Sequence, residues 1–363
     1  TKVESVINES VNAKVTFNDY KLTFFRNFPN LSFSLKELYV SGLADFEGDT
    51  LAGFRSFDLV FNLGSLLGKS GYEIKSIVID RAVVNAIVLK DGRANWDITL
   101  PSDTVSSEEP AVSAAELPVA PATGSASEAV PDAGTQEGTM KVLLRKFEIR
   151  NSSVTYSDES MNMTALLNDL NFLLSGNMTL STTDLLMKLT VGETSVTMDG
   201  VNYLKKAVID SEISLLADLD SMKFTLTDNY LNLNDLKLGF SGTVAMPGDD
   251  ISTDLTFGTG KTSFKTLLSM VPAVYMTGYE ALRATGDFEL SGSAKGVYSD
   301  ADSTLPDIRL NLSVVNGLIS YPDLPEKITD INISSDVFVD GTDLDGTTVN
   351  VDKFHFALAG SPF

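Results

Sequence analysis

The residues best suited to chemistry in this sequence are carboxylates, which gather in two short clusters. The first is Asp249-Asp250, and the second is the run 340–346, DGTDLDG. The second run has the Asp and Gly content of a calcium loop, but it lacks the bidentate Glu that an EF-hand requires. A solvated loop between two strands is therefore favoured, with a calcium site as the open alternative.

Other catalytic chemistry finds little support. The chain has no cysteine, which excludes disulfides, thiolate zinc sites, iron–sulfur clusters and cysteine nucleophiles. The single histidine, His355, falls on the polar phase of an alternating stretch, as a surface residue would. Motifs for nucleotide binding, zinc proteolysis and serine hydrolysis are absent. A two-carboxylate glycosidase remains an alternative, although Trp is single; we expect no enzyme activity, no metal and no cofactor.

Charge and composition limit the partners and the fold class. The net charge of −22 argues against nucleic acid, and equally against docking on an anionic membrane by charge alone. The 43% hydrophobic content over 363 residues is enough for a sizeable core. Charged residues make up only 21%, while Ser, Thr, Asn and Gly are plentiful, and this balance favours strands and turns.

The elements that would position these residues are mostly strands. From residue 139 onward, short alternating runs recur about every ten residues with turn signals between them, which predicts an antiparallel β architecture. In 31–40 the alternation shifts by one residue, which predicts a bulge. A short amphipathic helix is predicted at the N-terminus, and one longer helix over 262–283, interrupted by Pro272.

One spacing recurs three times and predicts a repeated hairpin unit. In the stretch 74–98, large apolar residues two apart are followed by four residues before an apolar position resumes, and the stretch closes with an Asp91-Gly92 turn and Trp96. The same plan recurs near 147–156 and 312–321, where Asn316-Gly317 is a strong hairpin-turn signal. The apolar positions that this pattern selects are Ile77, Ile79, Val84, Phe147, Ile149, Leu312 and Val314.

A compositional break divides the chain. The segment 101–138 is acidic and rich in Pro, Ala and Ser, and it has no aromatic residue, Lys or Arg. It is predicted to be a disordered linker or a long exposed loop. It separates a β unit at 1–100 from a second β-rich unit at 139–363, unless it is a loop inserted into one continuous sheet.

The apolar phase of these strands admits two interpretations. Periodicity alone favours an ordinary sandwich or a helix-covered core. The alternative is a long curved sheet with one apolar face left open, because only one substantial helix is available to cover it. No apolar run reaches the roughly 18–20 residues that span a bilayer. The chain begins at Thr1 and stops at Phe363 within a strand-like pattern, which is typical of a fragment.

Several stretches of the first hundred residues resemble the N-terminal region of the AsmA family. They are FPNL at 28–31 leading to LYVSG at 38–42, IVID at 77–80, and the closing GRANWDI at 92–98. The resemblance extends more loosely over 139–363, where LLSMVP at 267–272 is similar to Bacteroidetes members.

The resemblance implies a periplasmic β-rich body anchored in the inner membrane of a Gram-negative bacterium by an N-terminal helix that this sequence lacks. It implies kinship with chorein-type bridge proteins, whose open apolar groove carries phospholipid between membranes. The expected fold is therefore mainly β: an elongated, curved, open antiparallel sheet built from repeated hairpins. The expected partner is phospholipid or another acyl lipid held by the seven apolar residues above, and the oligomeric state stays undetermined.

Two other functions stay open. The first is a structural or assembly factor for the outer membrane that binds protein rather than lipid. The second is a secreted β-sandwich that binds glycans, for which an exposed aromatic platform containing Trp96 would be the mark. Trp96 is expected to close the end of the groove wall instead.

Overall fold

The fold is one large open sheet. The structure is a computed structural model that describes residues 2–24, 30–64, 73–99, 144–178, 180–268, 281–322 and 324–363. Eighteen strands of these residues form a single, curved and mostly antiparallel sheet that does not close on itself. The predicted fold class is thereby confirmed.

The strands follow one another across the sheet almost in chain order. From β3 to β12, and again from β14 to β17, each strand pairs with the next strand in the sequence, and β12 pairs with β14. The short strands lie beside these: β1 and β2 pair with β3, β13 pairs with β14, and β18 pairs with β17. The strands are β1 (Lys14–Thr16), β2 (Asp19–Thr23), β3 (Asn30–Ser41), β4 (Thr50–Asn62), β5 (Ile74–Val88), β6 (Lys146–Asp158), β7 (Met163–Gly176), β8 (Thr182–Met198), β9 (Val201–Asp218), β10 (Lys223–Leu233), β11 (Leu236–Ala245), β12 (Ile251–Gly258), β13 (Thr262–Ser263), β14 (Arg283–Tyr298), β15 (Asp307–Ser320), β16 (Ile328–Val339), β17 (Thr348–Leu358) and β18 (Ser361–Pro362). The helices are α1 (Lys2–Ser10) and α2 (Phe264–Leu268), with 3₁₀ turns at Ala44–Phe46 and Leu344–Gly346.

The parallel pair of the sheet is β5 with β6. Their register runs from Ser76 beside Lys146 to Val88 beside Asp158, so the sheet continues from the first unit into the second. A parallel pair needs a long crossover, and here the chain between 89 and 145 supplies it. The predicted linker 101–138 lies outside the described residues, and the domain boundaries stay a prediction.

The recurring spacing marks kinks inside strands, so its interpretation as a hairpin is wrong at all three stretches. Residues 74–88 form the single strand β5, residues 147–156 lie within β6, and Asn316-Gly317 lies within β15. Arg81, Asn151 and Asn316 adopt positive φ values of 51°, 47° and 52°. A residue in this left-handed conformation interrupts the two-residue alternation, so that successive positions on one face lie three apart across it. The first such position carries a small residue, Ala82, Ser152 or Gly317, so the next large apolar residue follows after a gap of four.

The kinks form a row across the sheet. Glu37, Asp169, Asp228 and Asp330 have positive φ in β3, β7, β10 and β16. The predicted shift within 31–40 falls at Glu37, although the pairing of β3 with β4 keeps its register there and slips only between Val40 and Ser41.

Side-chain oxygens accept backbone N–H groups along this row. Asn171 Oδ1 accepts the Asn151 N–H at 2.9 Å, and Ser152 Oγ accepts the Ala82 N–H at 2.9 Å. Each bond satisfies a donor that the interrupted ladder would otherwise leave unpaired.

Helices cover the apolar face at two places in the described chain. The N-terminal helix α1 is present as predicted, and its Ile7, with Val11 just beyond it, packs on the cluster of Val15, Leu35 and Leu38.

The helix predicted over 262–283 is wrong at both ends. Thr262–Ser263 forms β13, which pairs with Phe288 and Asp287, and Arg283 already belongs to β14. Its described helical part is α2, and residues 269–280 lie outside the described residues.

Candidate functional site

We define the inner face of the sheet as the face that carries the apolar side chains of the alternating strands. Four of the predicted residues lie on this face, in β5 and β6. The register places Ile77 beside Phe147 and Ile79 beside Ile149. Phe147 pairs in turn with Leu174, and its ring lies 6.1 Å from the ring of Phe172, edge to face. Residues paired across strands share a face, so the structure brings Ile77, Ile79, Phe147 and Ile149 into one apolar patch.

This patch continues across the following strands. Leu174 pairs with Met187, and Met187 pairs with Ile213. A cavity of about 220 Å³ opens here on the inner face, and its lining is Phe172, Met187, Leu189, Ser211, Ile213, Leu231 and Phe240. We call strands β5 to β11 on this face the open stretch.

The cavity wall has no free polar group among its described lining residues. Ser211 is the one polar residue, and its hydroxyl donates to the Tyr230 carbonyl oxygen at 2.8 Å. The wall can therefore exclude water without stranding a donor or acceptor, which suits an alkyl chain.

Val84 lies beyond the kink row, at the far end of β5. It is in register with Val154 of β6 and Ala52 of β4. After Val88, the chain turns at Asp91-Gly92 as predicted, with Gly92 at a φ of 85° and its N–H bonded to the Leu89 carbonyl at 2.9 Å.

This turn returns the chain so that Asn95 and Trp96 lie against β5 and β6. Asn95 is buried, its Oδ1 accepts the Ile87 N–H at 2.9 Å, and its Nδ2 donates to the Asn85 carbonyl at 2.7 Å. The Trp96 ring lies 6.2 Å from the Tyr156 ring, tilted by 33°, and is 39% exposed. Trp96 is thus partly exposed and lies beside a second aromatic ring.

The last two predicted residues lie under α2. Val314 is 1% exposed and shares a buried cluster with Phe264, Ala284, Phe288 and Ile331, against which Leu312 packs. We call this the covered stretch. Leu312 and Val314 therefore belong to the same inner face as the other five, with Val314 enclosed in this cluster and Leu312 half-buried against it.

Sequence reasoning did not single out Met187, Ile213, Leu231 and Phe240. Their strands were recognisable from alternation, but nothing local distinguishes a half-buried apolar residue under a helix from one beside a cavity. Only the pairing of β7 to β11 brings these four together.

The charged groups lie away from the inner face. Glu148 bonds Arg150 and Lys146, each at 2.6 Å, and the hydrogen bond from Arg150 is the main cause that lowers the pKa of Glu148. In the described part of the chain, no three His, Cys, Asp or Glu side chains gather as a metal site would require. In the loop 340–346, Asp340 Oδ1 accepts the Thr342 N–H at 2.9 Å and the Thr342 hydroxyl at 2.7 Å.

Comparison with known proteins bears on the first half of the chain. Residues 2–176 match the model of the AsmA family, so this half is AsmA-like. That family is associated with bacterial membranes and with outer-membrane and lipid-related functions, and it is not a known enzyme family. No curated protein and no solved structure matches the chain. Among the described helices, none has the length and apolarity to span a bilayer.

Proposed function

From this AsmA-like first half, we propose that the chain binds phospholipid by its acyl chains along the open stretch and moves it between the inner and outer membranes. The observation that carries the proposal is the apolar cavity between Phe172 and Phe240, on a face that no described helix covers there. Each methylene removed from water contributes about 0.8 kcal/mol. A continuous apolar face thereby offsets most of the cost of carrying an acyl chain through water, and no bond-making residue is required.

The same proposal places the chain in the periplasm as part of a protein anchored in the inner membrane. A groove that joins two membranes has to lie in the space between them. The family association with membranes supports this location.

A lipid-binding measurement tests the proposal. The purified protein should retain phospholipid through native mass spectrometry, and it should transfer labelled phospholipid between donor and acceptor vesicles. The double variant Met187→Asp/Ile213→Asp places two charges in the cavity wall and should abolish retention, because a carboxylate has to be desolvated when an acyl chain binds.

The matched control is Thr190→Asp/Ser214→Asp, which adds the same charges on the same two strands at exposed positions of the other face. This control should retain and transfer lipid as the parent protein does. Equal retention by both variants, or no phospholipid on the parent protein, would contradict the proposal.

The alternative of a protein-binding assembly factor has one observation in its favour. Val349, Val351 and Phe354 of β17 are 56–65% exposed, and the outer edge of β17 pairs with a described strand, β18, only at Ala357 and Leu358. An apolar strand with a free edge can accept a strand from another protein. Crosslinking from position 351 that yields a protein adduct, with no lipid retained, would favour this alternative.

A further inference from the structure

One buried polar side chain in the open stretch has a hydrogen-bond donor without a partner. Asn229 of β10 is 3% exposed, and its Oδ1 accepts the Ser214 N–H of β9 at 2.7 Å. Because that N–H can only donate, the side-chain oxygen has to face it, which fixes the direction of the amide. The Nδ2 atom is buried and forms no hydrogen bond with any described residue. A buried donor of this kind is costly and rare in native proteins, so it requires an explanation.

The bond to the neighbouring strand does not by itself leave the donor unpaired. Asn171 and Asn332 each accept a backbone N–H of the preceding strand in the same way, at 2.9 Å and 3.3 Å. Each also donates its Nδ2 to the carbonyl of the left-handed residue two positions before it, at 3.2 Å and 2.8 Å. Asn229 directly follows its left-handed residue, Asp228, and makes no such bond. Among these three asparagines, the unpaired donor is therefore particular to Asn229.

Asn229 lies beside the apolar cavity of the open stretch. It is the cross-strand partner of Phe240 and lies two residues from Leu231, and both of these line that cavity. Paired residues on one face have Cβ atoms about 4.5–5.5 Å apart. Asn229 and Phe240 also line a second cavity, of about 420 Å³, together with polar residues such as Ser241 and Thr256. Asn229 thus lies where an apolar space meets a more polar one.

This order of surfaces matches the order of groups in a glycerolipid. An acyl chain is apolar along its length and ends at an ester carbonyl, which accepts hydrogen bonds and donates none. An unpaired N–H at the border of an apolar cavity is complementary to that carbonyl. Because Nδ2 is buried, the carbonyl reaches it only when neighbouring side chains shift as the lipid enters.

We propose that Asn229 donates a hydrogen bond from Nδ2 to the ester carbonyl of the bound lipid, so that the groove selects acyl esters over ether-linked chains. The inference rests on the proposed function, because it concerns a lipid already held by its acyl chains. Entry of an ester lipid satisfies a donor that is unpaired in the free protein. An ether oxygen is a much weaker acceptor and leaves that donor unpaired at a cost.

Competition between two labelled lipids tests the inference. Dipalmitoyl phosphoethanolamine and its dihexadecyl ether analogue have the same headgroup and chain length, and only the first has ester carbonyls. The parent protein, stripped of lipid, should retain the ester lipid about three- to tenfold better, on the scale of one neutral hydrogen bond. This comparison needs no variant, so its result does not depend on how a substitution affects folding.

The variant Asn229→Ala should retain the two lipids equally, because it removes the unpaired donor. The matched control is Asn171→Ala, which also removes a side-chain oxygen that accepts a backbone N–H beside a kink, but removes no unpaired donor. This control should keep the preference for the ester lipid. Circular dichroism checks that both variants are folded.

The outcomes separate the two proposals. Equal retention of both lipids by the parent protein, or an unchanged preference in Asn229→Ala, overturns the ester inference and leaves acyl binding standing. Loss of the preference in Asn171→Ala as well would assign the effect to the shape of the kinked sheet and would also overturn the inference. Retention of neither lipid by the parent protein overturns the proposed function, and the inference with it.

Discussion

The covered and the open stretches of the inner face are built from the same apolar pattern but differ in what lies on top. Under α2, Phe288 is 2% exposed and Val314 1%. In the open stretch, Phe172 and Ile213 are half-buried and border a cavity. Both stretches contain strands that are kinked in mid-strand, and their strands are antiparallel to their neighbours apart from the β5–β6 pair. The cover, rather than the strand, distinguishes the closed core from the half-buried apolar face.

The difference shows how a β-sheet can keep an apolar face exposed. The ladder on both sides of each central strand satisfies the backbone, so no helix is needed for that purpose. Neighbouring side chains bury one another in part, as Phe147 and Phe172 do. The sheet therefore needs a helix only where it forms a fully buried core.

The largest expected contrast comes from truncating one phenylalanine in each stretch. Phe288→Ala should lower the free energy of unfolding by about 3–5 kcal/mol, because it opens a cavity in a closed cluster. Phe172→Ala should lower it by about 1–2 kcal/mol, because only part of that ring leaves water on folding. Urea denaturation measures both, with an unchanged slope as the check for two-state unfolding.

Lipid retention should rank the same two variants in the opposite order. Phe172→Ala should weaken acyl binding, and Phe288→Ala should leave it intact in conditions where the variant is folded. Similar losses of stability in both variants would show that the open stretch is a closed core in solution.

Alternation predicts the strands and the apolar phase, and the family resemblance implies the open sheet, but neither predicts the division into two stretches. Alternation near Ile79 and near Val314 is a local signal, and the register between strands is what places both residues on one face. The kinks were misread as hairpins because Asn316-Gly317 suits both a turn and a left-handed residue within a strand. The position of α2 over Val314 depends on pairing between β14 and β15, which no local pattern encodes.

A kink residue from each stretch tests whether both share the same bent sheet. Asn151→Ala and Asn316→Ala should each cost up to about 1 kcal/mol, because the short polar side chain of Asn can hydrogen-bond locally in the left-handed conformation and the methyl group of Ala cannot. The glycine variants should cost clearly less than the alanine variants. Chemical denaturation of the four variants would measure this. If alanine at either site leaves the free energy of unfolding unchanged, the result would contradict a left-handed residue there.

The smallest expected effect is a pH dependence at the end of the open stretch. Burial raises the pKa of Asp158, but hydrogen bonds from the Ser160 hydroxyl, the Met161 N–H and the Tyr156 hydroxyl outweigh it, and the net pKa lies below its ordinary value. A carboxyl whose pKa is lower in the folded state stabilises the fold above its unfolded pKa of about 3.9. That contribution is lost as the pH falls below this value through the folded pKa.

Asp158→Asn should therefore reduce stability at pH 7 and flatten its decline below about pH 4, by less than about 1 kcal/mol in all. The carboxyl of Asp340, in the loop beside the covered stretch, also has a lowered pKa, caused mainly by its bond from the Thr342 hydroxyl. Asp340→Asn should flatten the same window, so acid weakens both stretches through their connections and not through their apolar faces. A decline in stability that neither variant changes would show that the acid-sensitive groups lie elsewhere in the chain.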